Sequence, residues 1–329
     1  TFVPFFRVDS ADDSRTHFDL RELTFLWVEE DFELRMGVRK VFWGVTEILH
    51  LVDIINQTDG VENIDTEDKL GQPMINLSLA RDWGTLDLFL LPWFRERTFP
   101  GEGGRLRPAI LVDPDRAIFE SSLEEKHIDG AIRYSHSFGP WDVGLAYFVG
   151  TGREPTLLPG LDGGGNPILI PFYEQIHQTS LDLLYATDNW LWKLEALYRT
   201  GQGPEDFFAW TGGFEYTFTG VGSTRMDLGA LIEVMYDGRD ARATTVFEHD
   251  IAVGMRLAVN DVASTEVLLG FLQDLTRNSN SLFLESSRRI GDNIKINLEV
   301  RLLLEQNLSD LSFPLRDDDL FQLEVQYYY

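Results

Sequence analysis

Apolar and polar residues alternate with a period of two along most of the chain. In 226–236 every second residue is apolar, and Asp227 and Glu233 stand between the apolar positions. The same alternation recurs in three further stretches: 143–149, 208–218 and 294–302. A period of two places the apolar side chains on one face of a β-strand. The chain is therefore predicted to be all-β.

The links between these strands are alternately short and long. The short links are rich in the Gly, Asn and Asp that tight hairpins require: 29–31, 82–84, 139–141, 188–190, 220–223, 260–262 and 291–293. The longer links are 44–73, 95–126, 151–173, 201–206, 238–243, 274–280 and 305–318. This alternation is typical of an outer-membrane barrel, which has short periplasmic turns and longer extracellular loops.

The strand count follows from the seven short links. Seven hairpins supply fourteen strands, 320–329 adds a fifteenth, and 1–9 adds a sixteenth. We therefore predict one transmembrane, antiparallel, up-and-down β-barrel over residues 1–329, with 16 strands, or 14 if the N-terminal segment folds into the lumen. The loops 44–73, 95–126 and 151–173 are expected to be extracellular or folded into the lumen.

The tryptophans favour a membrane barrel over a soluble β-sandwich, in which strands alternate in the same way. They lie near opposite strand ends: Trp27, Trp83, Trp141 and Trp190 beside short turns, and Trp43 and Trp93 at the other ends. Paired aromatic girdles at the two interfaces are typical of membrane barrels. No stretch approaches 18 consecutive apolar residues, so membrane-spanning helices are not expected.

The polar strand faces carry charges of both signs, which a dry core would not accept. Individually these residues would form cross-strand ion pairs, but as a set they would line a polar conduit. The candidate pore-lining residues are Glu33, Arg35, Arg39, Asp129, Arg133, Asp182, Lys193, Glu195, Arg199, Glu215, Arg225, Asp227, Glu233, Asp250, Arg256, Lys295, Glu299 and Arg301.

Composition excludes several other classes of protein. With 54 acidic against 28 basic residues the net charge is −26, which argues against a nucleic-acid partner. A hydrophobic content of 43% argues against disorder. The absence of cysteine excludes disulfides, thiolate zinc sites and a cysteine nucleophile. The acidic excess is expected in the loops, where divalent ions would bridge it to lipopolysaccharide.

Candidate chemistry is sparse. The histidines form no His-Glu-x-x-His motif, and there is no Gly-x-Ser-x-Gly, so neither an enzyme nor a cofactor is predicted. Asp59, Glu62 and Asp65 are a candidate Ca²⁺ site in an acidic loop, although EF-hand spacing is absent. The alternative for these three residues is a solvated loop without an ion.

Two segments resemble known families. Phe321, Leu323, Val325, Tyr327 and Tyr329 alternate to a terminal aromatic residue, which resembles the C-terminal assembly signal of Gram-negative outer-membrane proteins. With the strand count, the whole chain resembles the porin superfamily. This resemblance implies a bacterial outer-membrane location after signal-peptide removal, contact with lipid and lipopolysaccharide, insertion by the barrel-assembly machinery through the Tyr329 strand, and a homotrimer or larger assembly.

The second resemblance covers 39–59, which is similar to a segment of proteobacterial porin-like barrels linked with transport of hydrophobic compounds. Here Val45 follows Trp43-Gly44, where those proteins have an acidic residue. The stretch Glu47–Ile55 is expected to form one or two helical turns.

The function predicted from the sequence is a porin-like channel for passive diffusion of small solutes or ions. The loops 44–73 and 95–126 would form its constriction, because long ordered loops are usually functional. Acidic loops at the mouth would give a mild preference for cations. The alternative is a plugged structural barrel that holds a partner assembly at the outer membrane.

Overall fold

The computed structural model describes residues 1–63 and 66–329, and the secondary structure of these ranges is almost entirely β. The strands are β1 Phe2–Arg7, β2 His17–Val28, β3 Glu33–Arg39, β4 Gln72–Arg81, β5 Gly84–Leu91, β6 Ile118–Phe119, β7 Asp129–Phe138, β8 Trp141–Thr151, β9 Thr156–Leu161, β10 Pro167–Tyr173, β11 Gln175–Ala186, β12 Trp190–Thr200, β13 Phe207–Phe218, β14 Asp227–Asp237, β15 His249–Ala258, β16 Glu266–Asp274, β17 Asn280–Ile290, β18 Ile294–Glu305 and β19 Leu320–Tyr327. Single 3₁₀ turns lie at Asp13–Arg15, Pro114–Arg116, Glu124–Lys126, Val221–Ser223, Asp240–Arg242 and Phe313–Leu315. Within the described ranges no helix has the length and apolar character needed to cross a membrane.

Sixteen of the strands form one sheet in which each strand neighbours the next in chain order. Its order is β1-β2-β3-β4-β5-β7-β8-β11-β12-β13-β14-β15-β16-β17-β18-β19. The strand β1 pairs with β2 in an antiparallel register that sets Phe5 opposite Asp19, so the N-terminal segment belongs to the sheet. The predicted all-β class, with 16 antiparallel strands in up-and-down order, is confirmed, and the count of 14 is wrong.

The short links are tight turns between neighbouring strands. The turn between β4 and β5 ends at Gly84, whose φ of +126° is a backbone conformation that side chains with a Cβ rarely adopt. Arg81 pairs directly with Gly84 across this turn. Two links are longer than predicted: the link between β13 and β14 runs from 219 to 226, and the link between β15 and β16 runs from 259 to 265.

The chain divides into two compact units. The first comprises Thr1–Gly44, His50–Asp182 and Glu195–Phe208, and the second comprises Val45–Leu49, Leu183–Leu194 and Ala209–Tyr329. A hydrophobic core cluster of the first unit contains Trp43, Val52, Ile54, Ile55, Met74, Phe89, Leu91, Ala146, Phe148 and Ile176. A core cluster of the second contains Leu231, Leu268 and Phe283, with Ile48 packed against them.

The structure corrects the prediction for Trp43. Its side chain is only 4% exposed, and its ring packs edge-on against Phe89 with 5.7 Å between the centroids. It belongs to the core of the first unit and not to an aromatic girdle. The other tryptophans assigned to girdles are exposed: Trp27, Trp83, Trp93, Trp141 and Trp190.

A second sheet of three strands, in the order β6-β10-β9, lies within the links that were predicted to be loops. The strands β9 and β10 form an antiparallel hairpin, and β6 pairs with β10 in parallel. Prolines at 159, 167 and 171 argue against strands in the sequence, because proline cannot donate a ladder hydrogen bond. Pairing of β10 with β6 and β9 outweighs the unfavourable effect of these prolines on strand formation.

The helical turns predicted for Glu47–Ile55 are absent. In a helix the backbone amides would bind carbonyl oxygens four residues earlier. Here the Val52 amide instead donates to the Glu195 carboxylate at 3.0 Å. Side-chain acceptors far away in the sequence have replaced the helical hydrogen bonds.

Candidate functional site

On several strands of the large sheet, exposed apolar side chains lie on one face and buried charged side chains on the other. On β15, Val253 is 42% exposed and Met255 51% exposed, whereas Asp250 is 1% exposed. On β14, Glu233 is buried, and its neighbour Ile232 is exposed. A soluble sheet has the reverse arrangement, whereas a membrane barrel has an apolar outer band and a polar interior.

In the second unit, the tip of the 40–71 loop is bound by a carboxylate of β14. The carboxylate of Glu233 accepts the backbone amides of Glu47 at 2.8 Å and Ile48 at 2.9 Å. The Ile48 side chain packs against the core of the same unit. Because one carboxylate satisfies two successive amides, the tip has a defined position on the polar face of β14.

Cations surround the side chain of Glu47. The guanidinium of Arg256 lies 2.7 Å from its carboxylate, and the ammonium of Lys193 lies 3.4 Å away. Burial raises the pKa of Glu47, but these two cations outweigh burial and hold the pKa below its ordinary value. Arg256 also lies 3.7 Å from Glu215, and Lys193 lies 3.9 Å from Glu233. The strand residues Lys193, Glu215, Glu233 and Arg256, which the sequence predicted separately, therefore meet around Glu47.

In the first unit, the loop stem is held by further buried polar contacts. Asp53 accepts the Trp43 amide at 3.3 Å and lies 3.4 Å from the Lys69 ammonium. Burial raises the pKa of Asp53, while Lys69 opposes that rise. The Asn56 side chain accepts the Val41 amide at 2.8 Å and donates to the carbonyl of Leu70. The stem is thereby fixed by side chains on both of its arms.

Two predicted pore-lining acids of the first unit have arginine partners. Asp129 lies 2.7 Å from Arg153 and also accepts the Thr151 amide at 2.9 Å. Asp182 lies 2.7 Å from Arg133, whose guanidinium stacks 5.1 Å above the Trp43 ring. Asp129 pairs with a loop residue that the sequence did not single out, whereas Arg133 and Asp182 were both predicted.

Several other candidates have partners on the same face. Arg199 donates to Gln178 at 2.7 Å and lies 3.2 Å from Glu154. The remaining contacts are Arg35 with Glu33, Arg39 with Asn76 at 2.9 Å, Arg301 with Glu299 at 2.6 Å, and Asp227 with Asn260 at 2.8 Å. Lys295 is half-buried on β18. Arg225 precedes β14 and is exposed in a turn, so it does not lie on a strand wall as the sequence suggested.

The candidate calcium ligands are only partly described. Asp59 and Glu62 lie close together in the first unit, and Asp65 lies outside the described residues. His17 joins the two acids, although it lies more than 40 residues away in the sequence. No spacing rule links His17 to Asp59, so the sequence alone did not predict this neighbour.

Comparison with known proteins gives one structural likeness. No protein-family model and no curated protein matches the sequence. The chain is similar to the crystal structure of Pseudomonas aeruginosa OpdQ, with 12% sequence identity and a TM-score of 0.43. The alignment covers 95% of this chain and 78% of that chain.

Proposed function

We propose that this protein is an outer-membrane channel of the porin type, for passive diffusion of small solutes or ions, and not an enzyme. The observation that carries the proposal is the burial pattern, in which exposed apolar side chains alternate with buried charged ones on the same strands. Lipid can cover the apolar face, and water can solvate the paired charges of the other face.

We further propose that the 40–71 loop folds into the lumen and sets the constriction. In the second unit, its tip brings Glu47 among two cations, Lys193 and Arg256, and two further acids, Glu215 and Glu233. Three carboxylates against two cations leave an excess of one negative charge. Such an excess favours entry of cations over anions in a narrow polar passage.

The alternative is a plugged barrel with a structural task. It is favoured by the depth at which the loop is held, since Val52 and Ile55 are fully buried in the core of the first unit. A loop with such a core would close the passage to solutes if it did not move. The barrel would then anchor a partner assembly in the outer membrane.

Planar-bilayer recording of the purified chain separates the two functions. The channel proposal predicts discrete conductance steps, and a reversal potential in a KCl gradient that indicates cation preference. A membrane that remains silent, with protein insertion verified by protease protection, would overturn the channel and favour the structural role. Anion preference would refute the charge argument alone.

The expected partners remain part of the proposal. The apolar face of β19 is exposed, with Phe321, Leu323, Val325 and Tyr327 on it. This pattern supports docking of the terminal strand, including Tyr329, on the barrel-assembly machinery. Removal of Tyr329 should lower the amount of inserted protein in outer-membrane fractions. A homotrimer should be visible as a threefold mass by light scattering in detergent.

A further inference from the structure

A histidine and two acids of the first unit form a compact group near the long-loop end of β2. His17 begins β2, whereas Asp59 and Glu62 lie in the 40–71 loop. One ligand atom from each residue lies within 4.8 Å of the others. Donor atoms 2.0–2.2 Å from Zn²⁺ lie about 3–4 Å from one another, so these side chains would need to close by about 1 Å to coordinate a single ion.

The imidazole of His17 is oriented as a metal ligand. Its Nδ1 lies 3.1 Å from the carbonyl oxygen of Arg15, which can only accept, so the hydrogen bond assigns the proton to Nδ1. The lone pair is then on Nε2, which faces the Asp59 carboxylate at 4.0 Å. Within the described part of the chain, this buried Nε2 has no hydrogen-bond partner. Metal-binding histidines commonly have this backbone contact at the other ring nitrogen.

Glu62 presents a second atom without a hydrogen bond. Its side chain is 7% exposed, and Arg7 pairs with its Oε2. The other oxygen, Oε1, is buried and makes no hydrogen bond to any described residue, and Arg21 Nη2 lies 3.9 Å away. Buried polar atoms in native proteins nearly always have a partner, so an oxygen in this position needs an explanation.

Asp59 is held by neighbours that would form the outer shell of a metal site. The Thr98 hydroxyl donates to Oδ1 at 2.5 Å, and the Arg21 guanidinium donates to Oδ2 at 2.5 Å. A carboxylate offers about four lone-pair positions, so these bonds leave positions for a metal ion. Ligating carboxylates are usually oriented by such hydrogen bonds.

Two arginines already balance the charge of the two acids, so an ion-pair cluster without metal is the competing interpretation. That interpretation leaves His17 Nε2 and Glu62 Oε1 without a donor or a cation at bonding distance. A metal ion would satisfy both atoms at once. One imidazole nitrogen with two carboxylate oxygens suits Zn²⁺, whereas Ca²⁺ takes oxygen ligands.

We propose that His17 Nε2, Asp59 and Glu62 form a Zn²⁺ site that ties the start of β2 to the 40–71 loop. This site differs from the oxygen-only Ca²⁺ site suggested by the sequence, because histidine supplies a ligand. It does not depend on the proposed channel function.

The test uses the full chain in detergent after removal of metal with EDTA. Isothermal titration with Zn²⁺ should show one bound ion, and Co²⁺ should give visible absorption bands typical of nitrogen and oxygen ligands. His17→Gln and Glu62→Gln should each weaken Zn²⁺ binding by more than the roughly 10–100-fold loss typical of outer-shell changes. Thr98→Val, an outer-shell change, should fall within that range.

His177→Gln is the matched control, because His177 is exposed and lies outside the group. It should bind Zn²⁺ as the unaltered chain does. Failure of the unaltered chain to bind Zn²⁺, equal binding by His17→Gln, or tighter binding of Ca²⁺ than of Zn²⁺ would each overturn the proposal. If a variant does not fold, the Co²⁺ spectrum of the unaltered chain still decides whether nitrogen is a ligand.

Discussion

The contact between Glu233 and the loop tip gives the sharpest test of the constriction. Replacing Glu233 with alanine removes the acceptor for the amides of Glu47 and Ile48. The hydrophobic contacts of Ile48 would remain, since its neighbours are unchanged. The tip should then leave its position more often without unfolding the strands.

The expected size of this effect follows from the two lost hydrogen bonds. A hydrogen bond to a charged group contributes about 1.5–3 kcal/mol. Loss of two such bonds at the lower end, about 3 kcal/mol, changes the ratio of docked to undocked tip by roughly two orders of magnitude. Glu233→Gln should have a smaller effect, because its amide oxygen still accepts a hydrogen bond without the charge.

Single-channel recording measures this ratio directly. Glu233→Ala should raise the mean conductance and the frequency of current fluctuations, and Glu233→Gln should lie between it and the unaltered chain. Glu299→Ala is the control, because Glu299 is also a wall carboxylate but bonds Arg301 on its own strand at 2.6 Å. Equal traces from Glu233→Ala and Glu299→Ala would refute the idea that the tip limits the passage.

Three further predictions concern stability. Asp129→Asn should lower the free energy of unfolding in urea by about 3–5 kcal/mol, because it breaks the buried pair with Arg153; an unchanged midpoint would contradict this. Gly213→Ala should reduce the yield of folded protein, because a Cβ at this position would lie 1.8 Å from a carbonyl oxygen of β14. A normal yield of folded protein would contradict this and show that the strands separate easily. Burial, aided by nearby acids, raises the pKa of Glu96 to about 7 from 4.5, so its contribution to loop stability is complete below 4.5 and lost as pH rises through 7. Protection factors, which correct hydrogen exchange for its intrinsic acceleration with pH, should therefore be higher at pH 5 than at pH 8 in the loop between β5 and β7, and Glu96→Gln should abolish that difference.

The parts of the fold that depend on residues close together in the sequence were predictable from it. The turn at Gly84 follows from glycine's freedom at positive φ, and the face of each strand follows from its period of two. The sixteenth strand was predictable because Phe2–Arg7 has the length and apolar character of a strand. These signals lie within a few residues of the element they specify.

The site depended on contacts that no local pattern contains. Glu47 and Ile48 bind a carboxylate about 185 residues later in the chain. The apolar spacing of this segment indicated a helix, yet its amides bond to acids on distant strands. Trp43 shows the same limit, because packing against Phe89 outweighs the interfacial preference of an isolated tryptophan.

The contacts with loop amides also change the role that a charged residue on the strand wall is expected to have. Glu233 accepts the backbone amides of Glu47 and Ile48, and Glu195 accepts the amide of Val52. A carboxylate whose lone pairs bind loop amides has part of its field neutralised by those dipoles, so it attracts a passing ion less strongly than a solvated acid. Such acids mainly position the loop, and their share in ion selection is smaller than that of the charges beside them. Conductance should therefore depend most on Glu233, whereas charge selectivity should depend most on Arg256 and Glu215.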